Sequence, residues 1–137
     1  MINSSDPNDM PLLVTAAVII EDSRVLITRR PEHKPQGGFW EFPGGKLDPG
    51  ESPTIALQRE LKEELDVNIS VGRVLDALYY RYSWGPVLIL AYHCRITDGT
   101  ISNVEVDEHL WARLDELHLY ELLPADRPLI PQLQRLA

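Results

Sequence analysis

The chain has 137 residues, with 21 acidic and 13 basic side chains, and a formal charge of −8 at pH 7. This length suits one domain, which can bury about two-thirds of its unfolded surface without disulfides or a structural metal. Because affinity for a phosphate backbone depends mostly on clustered Lys and Arg, the acidic balance argues against a nucleic-acid partner.

Cysteine content, the length of apolar runs and the composition of the N-terminus predict the compartment and the domain limits. The single cysteine, Cys94, excludes an internal disulfide, so the cytoplasm is the expected location. No stretch approaches the ~18 consecutive apolar residues of a membrane span, and the N-terminus lacks the features of a signal peptide, so we expect no membrane partner. Residues 1–11 are polar with two prolines and predict a flexible tail, and residues 12–137 predict a single domain.

The first part of the chain favours strands. Leu12–Ile20 is rich in β-branched residues and is followed by a turn and a second run, Val25–Thr28, which predicts a hairpin. Pro31–Gly38 predicts a loop by its Pro, Gly and charge content. A short apolar piece, Phe39–Phe42, then leads into a pair of glycines.

The clearest helix in the sequence begins after Ser52. Ser52 is an expected N-cap, and Pro53 occupies the first helical position, where its missing N–H is tolerated. Leu57, Leu61 and Leu65 recur at i, i+4 and i+8, so they share one apolar face. We therefore expect this helix to pack against the core.

The remaining elements complete an α/β or α+β domain, of which we favour α/β. Val67–Tyr82 and Pro86–Ile96 predict two strands, and Arg113–Leu123 and Arg127–Leu136 predict two short helices. Strands mixed with three helices are typical of these classes.

Three carboxylates on the predicted helix begin inside its apolar face, whereas a solvent-exposed charged face would lie opposite the leucines. At ~100° per residue, Glu64 falls inside the apolar stripe, and Glu60 and Glu63 continue from it over an arc of about 100°. Arg59 and Lys62 project to the other side and cannot neutralise all three. Because partly buried carboxylates need a counter-charge, a bound cation is the better candidate, and an all-oxygen site suits Mg²⁺ or Mn²⁺.

The spacing of these residues resembles the Nudix hydrolase signature, G-x5-E-x7-R-E-U-x-E-E-x-G-U, where U is aliphatic. The matching positions are Gly45, Glu51 and the run Arg59–Val67, in which Asp66 replaces the expected glycine. Asp66 falls where the helix must end in a left-handed conformation. Asp tolerates that region better than most residues, so we expect a strain of about 1 kcal/mol and an intact site.

The resemblance extends to the MutT-like branch of this family and covers nearly the whole chain. It rests on the paired arginines Arg29–Arg30, on the segment Trp40–Lys46, on Glu105 six residues before Trp111, and on the segment Pro124–Pro128. It implies the Nudix fold, an α/β/α sandwich with a central mixed β-sheet.

The resemblance also implies the reaction and its metal site. Water would attack a phosphorus of a nucleoside triphosphate, giving the monophosphate and pyrophosphate. Glu60, Glu63 and Glu64 would hold Mg²⁺, or alternatively Mn²⁺, and the Gly44 carbonyl would be a further ligand. Either Glu60 or Glu105 would take the proton of the water, since members of the family differ in which carboxylate serves as the base.

Other residues are expected to bind phosphate or to support the site. Arg30 is the expected phosphate clamp, with Lys46 as a second cation, although Lys46 is equally well explained as a surface charge at the end of a strand. Arg59 is expected to pair with Glu51 and to hold the helix in register, as structural support.

The base pocket is expected to involve Phe42 and Asp126. An ionised Asp only accepts hydrogen bonds, so Asp126 would favour an exocyclic amine such as N4 of cytosine, whereas a protonated Asp126 would donate to an oxopurine. The alternative role of Asp126 is to cap the last helix. Aromatic side chains that could stack on a base are better explained by packing; these are Tyr79, Tyr80, Tyr82 and Trp84.

The leading functional hypothesis is a metal-dependent (d)NTP pyrophosphohydrolase that clears 8-oxo-dGTP or modified CTP and dCTP, in nucleotide pool sanitation and DNA repair. The alternatives are a Nudix hydrolase of a dinucleotide or nucleotide sugar such as ADP-ribose, and a non-catalytic nucleotide-binding module. The expected assembly is a monomer or a homodimer.

Overall fold

The computed structural model describes residues 10–137, so residues 1–9 of the predicted tail lie outside the described part. The seven strands and two α-helices of residues 10–137 are, in chain order, β1 (Leu12–Glu21), β2 (Arg24–Arg29), β3 (Trp40–Glu41), β4 (Gly44–Lys46), α1 (Pro53–Leu65), β5 (Asn68–Tyr82), β6 (Gly85–Asp98), β7 (Glu108–Arg113) and α2 (Leu129–Gln134). Two 3₁₀ helices, Leu114–Leu119 and Pro124–Asp126, lie between β7 and α2.

The strands form a mixed sheet centred on β1. The main order is β3-β2-β1-β6-β5, with β4 pairing with β1 and β7 pairing with β2. Strand β1 runs parallel to β6 and antiparallel to β2 and β4, which confirms the expected mixed sheet.

Alternation along β1 divides the core into two layers. Ala16 and Val18 face one cluster, which contains the residues of the C-terminal segment and α2, whereas Ala17 and Ile19 face the cluster that contains the leucines of α1. Successive side chains of a strand point to opposite faces, so β1 holds α1 and the C-terminal segment on opposite sides of the sheet. This arrangement confirms the α/β/α sandwich.

Helix α1 forms as its sequence predicts. The Ser52 side chain accepts a hydrogen bond from the Ile55 N–H, Pro53 is the first helical residue, and all three leucines at i, i+4 and i+8 are buried. Asp66 ends the helix at φ 59° and ψ 37°, the expected left-handed conformation. With 13 residues, α1 is the longest helix of residues 10–137. None of the described helices is long and apolar enough to cross a membrane.

The C-terminal third differs from the expected pair of helices. The helix predicted over Arg113–Leu123 was wrong: Arg113 ends β7, a strand that the sequence analysis missed, and Leu114–Leu119 is a 3₁₀ helix. Leu114 and Leu117 are both buried at the i, i+3 spacing that a 3₁₀ helix places on one side. The last helix is also shorter than predicted, since α2 spans only Leu129–Gln134.

Candidate active site

One cavity of about 680 Å³ collects most of the predicted site residues. Its walls come from β1, the loop after β2, the segment from β3 to β4, helix α1, the turn between β5 and β6, and the segment before α2. The predicted residues that line it are Arg30, Phe42, Gly44, Lys46, Glu60, Glu64 and Asp126. Glu63 and Glu105 do not line it.

The glycine pair permits β4 to approach both β1 and α1 closely. A Cβ atom on Gly44 would overlap the Thr15 carbonyl oxygen, and one on Gly45 would overlap the Glu60 carboxylate. The Thr15 hydroxyl also donates to the Gly45 carbonyl at 3.1 Å. Any side chain at these positions would therefore move the Glu60 carboxylate or separate the strands.

Arg59 organises the carboxylates around α1. Its Nε and Nη2 donate to the two carboxylate oxygens of Glu51 at 2.7 and 2.8 Å, and this interaction holds the pKa of Glu51 at about 2. Its Nη1 also donates to Glu60 at 2.9 Å and to Glu63 at 3.1 Å. Arg59 thus reaches two of the helix carboxylates although it projects to the other side, because a long guanidinium extends beyond its own position on the helical projection. It does not pair with Glu64, so the expectation that it cannot neutralise all three carboxylates is confirmed.

Unlike Glu60 and Glu63, Glu64 makes no ion pair with any of residues 10–137. Burial raises its pKa well above the ordinary range, and the nearby charges of Glu41 and Glu60 raise it further. Lys34 and a backbone hydrogen bond with Gly44 oppose this increase. Burial likewise raises the pKa of Glu60, against the lowering effect of Arg59.

This donor set fits a hard divalent cation. The groups are all oxygens, and they carry excess negative charge in a partly buried place, which a divalent cation would neutralise. Within residues 10–137, no three Asp, Glu, His or Cys side chains already converge as a metal centre. The ligand roles of Glu60, Glu63, Glu64 and the Gly44 carbonyl therefore remain predictions.

Glu63 and Glu105 flank the cavity. The Glu63 side chain is 47% exposed and pairs with Arg59. The Glu105 N–H donates to the Glu64 carbonyl at 3.2 Å, so the chain after β6 is tied to the end of α1. The charge of Glu105 contributes, after several larger effects, to the raised pKa of Glu60.

Arg30 is oriented by Glu41, a cavity residue that the sequence analysis did not select. The Arg30 Nη1 lies 3.3 Å from both Glu41 carboxylate oxygens, and its Nε donates to the Pro35 carbonyl at 2.9 Å. Burial raises the pKa of Glu41 to about 7, although Arg30 lowers it. The sequence signal for this role is the position of Glu41 within the segment Trp40–Lys46, which resembles the MutT-like branch.

Asp126 is 3% exposed and is held by the segment before β4. Its Oδ2 accepts the Phe42 N–H at 3.2 Å, and burial raises its pKa to about 8, with a further increase from Glu41. The alternative that Asp126 caps the last helix was wrong, because α2 has no side-chain cap and begins three residues later. The carboxyl group instead joins the C-terminal segment to the cavity wall.

The aromatic residues divide into two groups. Tyr82 and Trp84 line the cavity and stack with ring centroids 5.4 Å apart, and the Tyr82 hydroxyl accepts the Ala125 N–H at 3.3 Å. Tyr79 and Tyr80 lie outside it. The packing interpretation was therefore incomplete for Tyr82 and Trp84, which form part of the cavity wall.

The fold and the carboxylate-bearing helix together define the class of Nudix-domain hydrolases. The model of the NUDIX domain family matches residues 11–133. The chain therefore belongs to the Nudix hydrolase family, in its MutT-like part.

The chain is similar to proteins with two different named activities. It is 38% identical over 117 residues to the CTP pyrophosphohydrolase of Escherichia coli, covering 85% of this chain and 87% of that protein. It is 42% identical over 72 residues to the 8-oxo-dGTP diphosphatase of Proteus vulgaris, covering 52% and 64%. The crystal structure of a MutT NUDIX hydrolase from Burkholderia pseudomallei superposes with a TM-score of 0.82 at 27% identity, covering 90% and 98%.

The raised pKa values predict that the metal-free protein loses stability as the pH rises. The pKa values of Glu41 and Asp126 in the folded state are about 7 and about 8, above those of the unfolded chain. The folded state then binds more protons, so the free energy of unfolding falls as the pH rises through this range. Urea unfolding in a chelator from about pH 5 to about pH 9 measures this slope.

D126N provides the control, because it removes one titrating group and keeps the shape. Its free energy of unfolding is expected to fall less between about pH 5 and about pH 8 than that of the wild type, because Asp126 binds a proton in the folded state over this range and not in the unfolded chain. Equal slopes for the two proteins would contradict the raised pKa of Asp126.

Proposed function

We propose that this chain is a metal-dependent nucleoside triphosphate pyrophosphohydrolase, which converts a (d)NTP and water to the (d)NMP and pyrophosphate. The observation that carries the proposal is one cavity that joins the carboxylates of α1 to the buried Asp126. A nucleotide has a polyphosphate at one end and a base at the other, and the cavity offers separate chemistry for each. We further propose the cytoplasm as its location and modified nucleotides as its substrates, in nucleotide pool sanitation and DNA repair.

The phosphate end would bind through a cation and through basic side chains. Glu60, Glu63, Glu64 and the Gly44 carbonyl would hold Mg²⁺ or Mn²⁺, which when bound screens the phosphates and lowers the pKa of a water molecule. Arg30, oriented by Glu41, would bind a phosphate oxygen, and the exposed Lys46 at the cavity wall would bind another.

Glu60 is favoured over Glu105 as the group that takes the proton of the water. Glu60 lines the cavity, whereas Glu105 lies outside it. Burial raises the pKa of Glu60, and a raised pKa makes a carboxylate a stronger base near neutral pH.

The base end would bind through Asp126 and Phe42. Because Oδ2 of Asp126 already accepts the Phe42 N–H, Oδ1 would serve the base. With a pKa of about 8, Asp126 carries a proton at neutral pH and can donate to an oxopurine such as 8-oxoguanine. Above that pH it accepts only, which favours the N4 amine of cytosine in CTP or dCTP.

Replacement of Glu64 tests the assignment of the reaction. E64Q removes the ligand charge but keeps the size of the side chain, so kcat is expected to fall at least about 100-fold, since metal assistance supplies several kcal/mol. Pyrophosphate release with Mg²⁺ from ordinary and oxidised nucleotides and from ADP-ribose measures the effect.

The matched control is E21Q, which removes an exposed carboxylate at the far end of β1 and is expected to keep wild-type activity. Near-normal turnover of E64Q on every nucleotide would contradict the assignment. Tight nucleotide binding by the wild type without pyrophosphate release would instead favour a non-catalytic module.

Replacement of Asp126 tests the choice of base. The wild-type ratio of kcat/KM for 8-oxo-dGTP over CTP is expected to fall about 10-fold as the pH rises past about 8, because Asp126 loses its donor. D126N donates and accepts at every pH, so its ratio is expected to stay constant. An unchanged preference and an unchanged pH dependence in D126N would remove Asp126 as the selector of the base.

A further inference from the structure

The loop between β2 and β3 presents Lys34 at the mouth of the cavity. Backbone hydrogen bonds close the base of this loop, from the Gly38 N–H to the Arg30 carbonyl at 3.0 Å and from the Arg30 N–H to the Phe39 carbonyl at 2.9 Å. The position of Lys34 is therefore set by the ends of two paired strands.

Two turns inside the loop fix Lys34 more closely. The Lys34 N–H donates to the Pro31 carbonyl at 3.1 Å, and the Gly37 N–H donates to the Lys34 carbonyl at 2.9 Å. A Cβ atom on Gly37 would lie 2.6 Å from the Pro31 carbonyl oxygen, so this tight path requires glycine. These hydrogen bonds fix the backbone position from which the Lys34 side chain extends.

The charge of Lys34 acts on two carboxylates of the cavity without forming an ion pair with either of them. Lys34 lines the cavity, and its positive charge acts on both Glu41 and Glu64, where it opposes the larger effect of burial on their pKa values. It makes no hydrogen bond or ion pair through its side chain with another of residues 10–137. Arg30, in contrast, already donates to Glu41.

We propose that Lys34 is a substrate-binding residue whose ammonium group donates to an oxygen of the polyphosphate chain. The proposal rests on the proposed function and adds a residue to it. A triphosphate carries about four negative charges, and Lys34 is a cation of the cavity whose three N–H donors are all unused in the described residues. The same position would attract the polyphosphate as it enters and would offset its repulsion from the cavity carboxylates.

Kinetics of K34Q distinguish phosphate binding from a structural role. The ammonium group contributes to binding in the ground state and the transition state alike, so KM for the triphosphate is expected to rise about 10-fold with little change in kcat. K34R keeps the cation and is expected to recover most of the affinity. Added salt is expected to raise the wild-type KM more steeply than that of K34Q.

The control is K62Q, which makes the same change of charge on α1. Lys62 pairs with Asp66 at 3.1 Å on the exposed surface and lies outside the cavity, so K62Q is expected to keep the wild-type KM. A KM for K34Q equal to that of K62Q would overturn the proposal, as would a fall in kcat that K34R does not restore.

A binding measurement separates this inference from the proposed reaction. Isothermal titration with inorganic tripolyphosphate and Mg²⁺ needs no turnover, and K34Q is expected to bind it about 10-fold more weakly than the wild type. If the wild type released no pyrophosphate from any nucleotide, the reaction would be wrong but this difference would still support Lys34. Equal affinities, or no binding by the wild type, would overturn the inference.

Discussion

The structure depends on the repulsion between carboxylates that are held together beside Gly44 and Gly45. Close approach of β4 to α1 brings Glu60 against the backbone, and the charge of Glu60 raises the pKa of both Glu41 and Glu64. Arg59 donates a hydrogen bond to Glu60, but Glu64 makes no ion pair with any of residues 10–137, and burial raises its pKa. Ionised Glu64 is therefore unfavourable in the metal-free protein and becomes favourable when a divalent cation binds.

The two layers of the core bring the carboxylates of α1 and the buried Asp126 to the same cavity. Strand β1 packs α1 on one face and the C-terminal segment on the other, so the ends of both layers meet at one cavity. The hydrogen bond from the Phe42 N–H to Asp126 ties the segment before β4 to the segment before α2. The stretch from β3 to β4 therefore contacts both Asp126 and the Glu60 carboxylate.

Local sequence patterns predicted α1 and its carboxylates because the cap, the leucine spacing and the signature all lie within 23 residues. Strand β7 was missed because its pairing partner, β2, is about 80 residues away along the chain and supplies the register. The roles of Lys34 and Glu41 depend on the path of a loop, and the burial of Asp126 depends on contact with Phe42, 84 positions away in sequence. Contacts between residues so far apart in the sequence are set by packing in the folded protein. They produce no periodic pattern in the local sequence from which they could be predicted.

The most direct test of the central claim is thermal unfolding of the wild type and of E64Q, with a chelator and with Mg²⁺. If the carboxylate cluster binds a divalent cation, Mg²⁺ at saturating concentration raises the wild-type Tm by several degrees. In the chelator, E64Q then unfolds at a higher temperature than the wild type, because it has no buried carboxyl group that must either take up a proton or repel its neighbours. Mg²⁺ then adds little to the Tm of E64Q. A wild-type Tm that does not respond to Mg²⁺ or Mn²⁺, together with an E64Q that is no more stable than the wild type, would contradict the account.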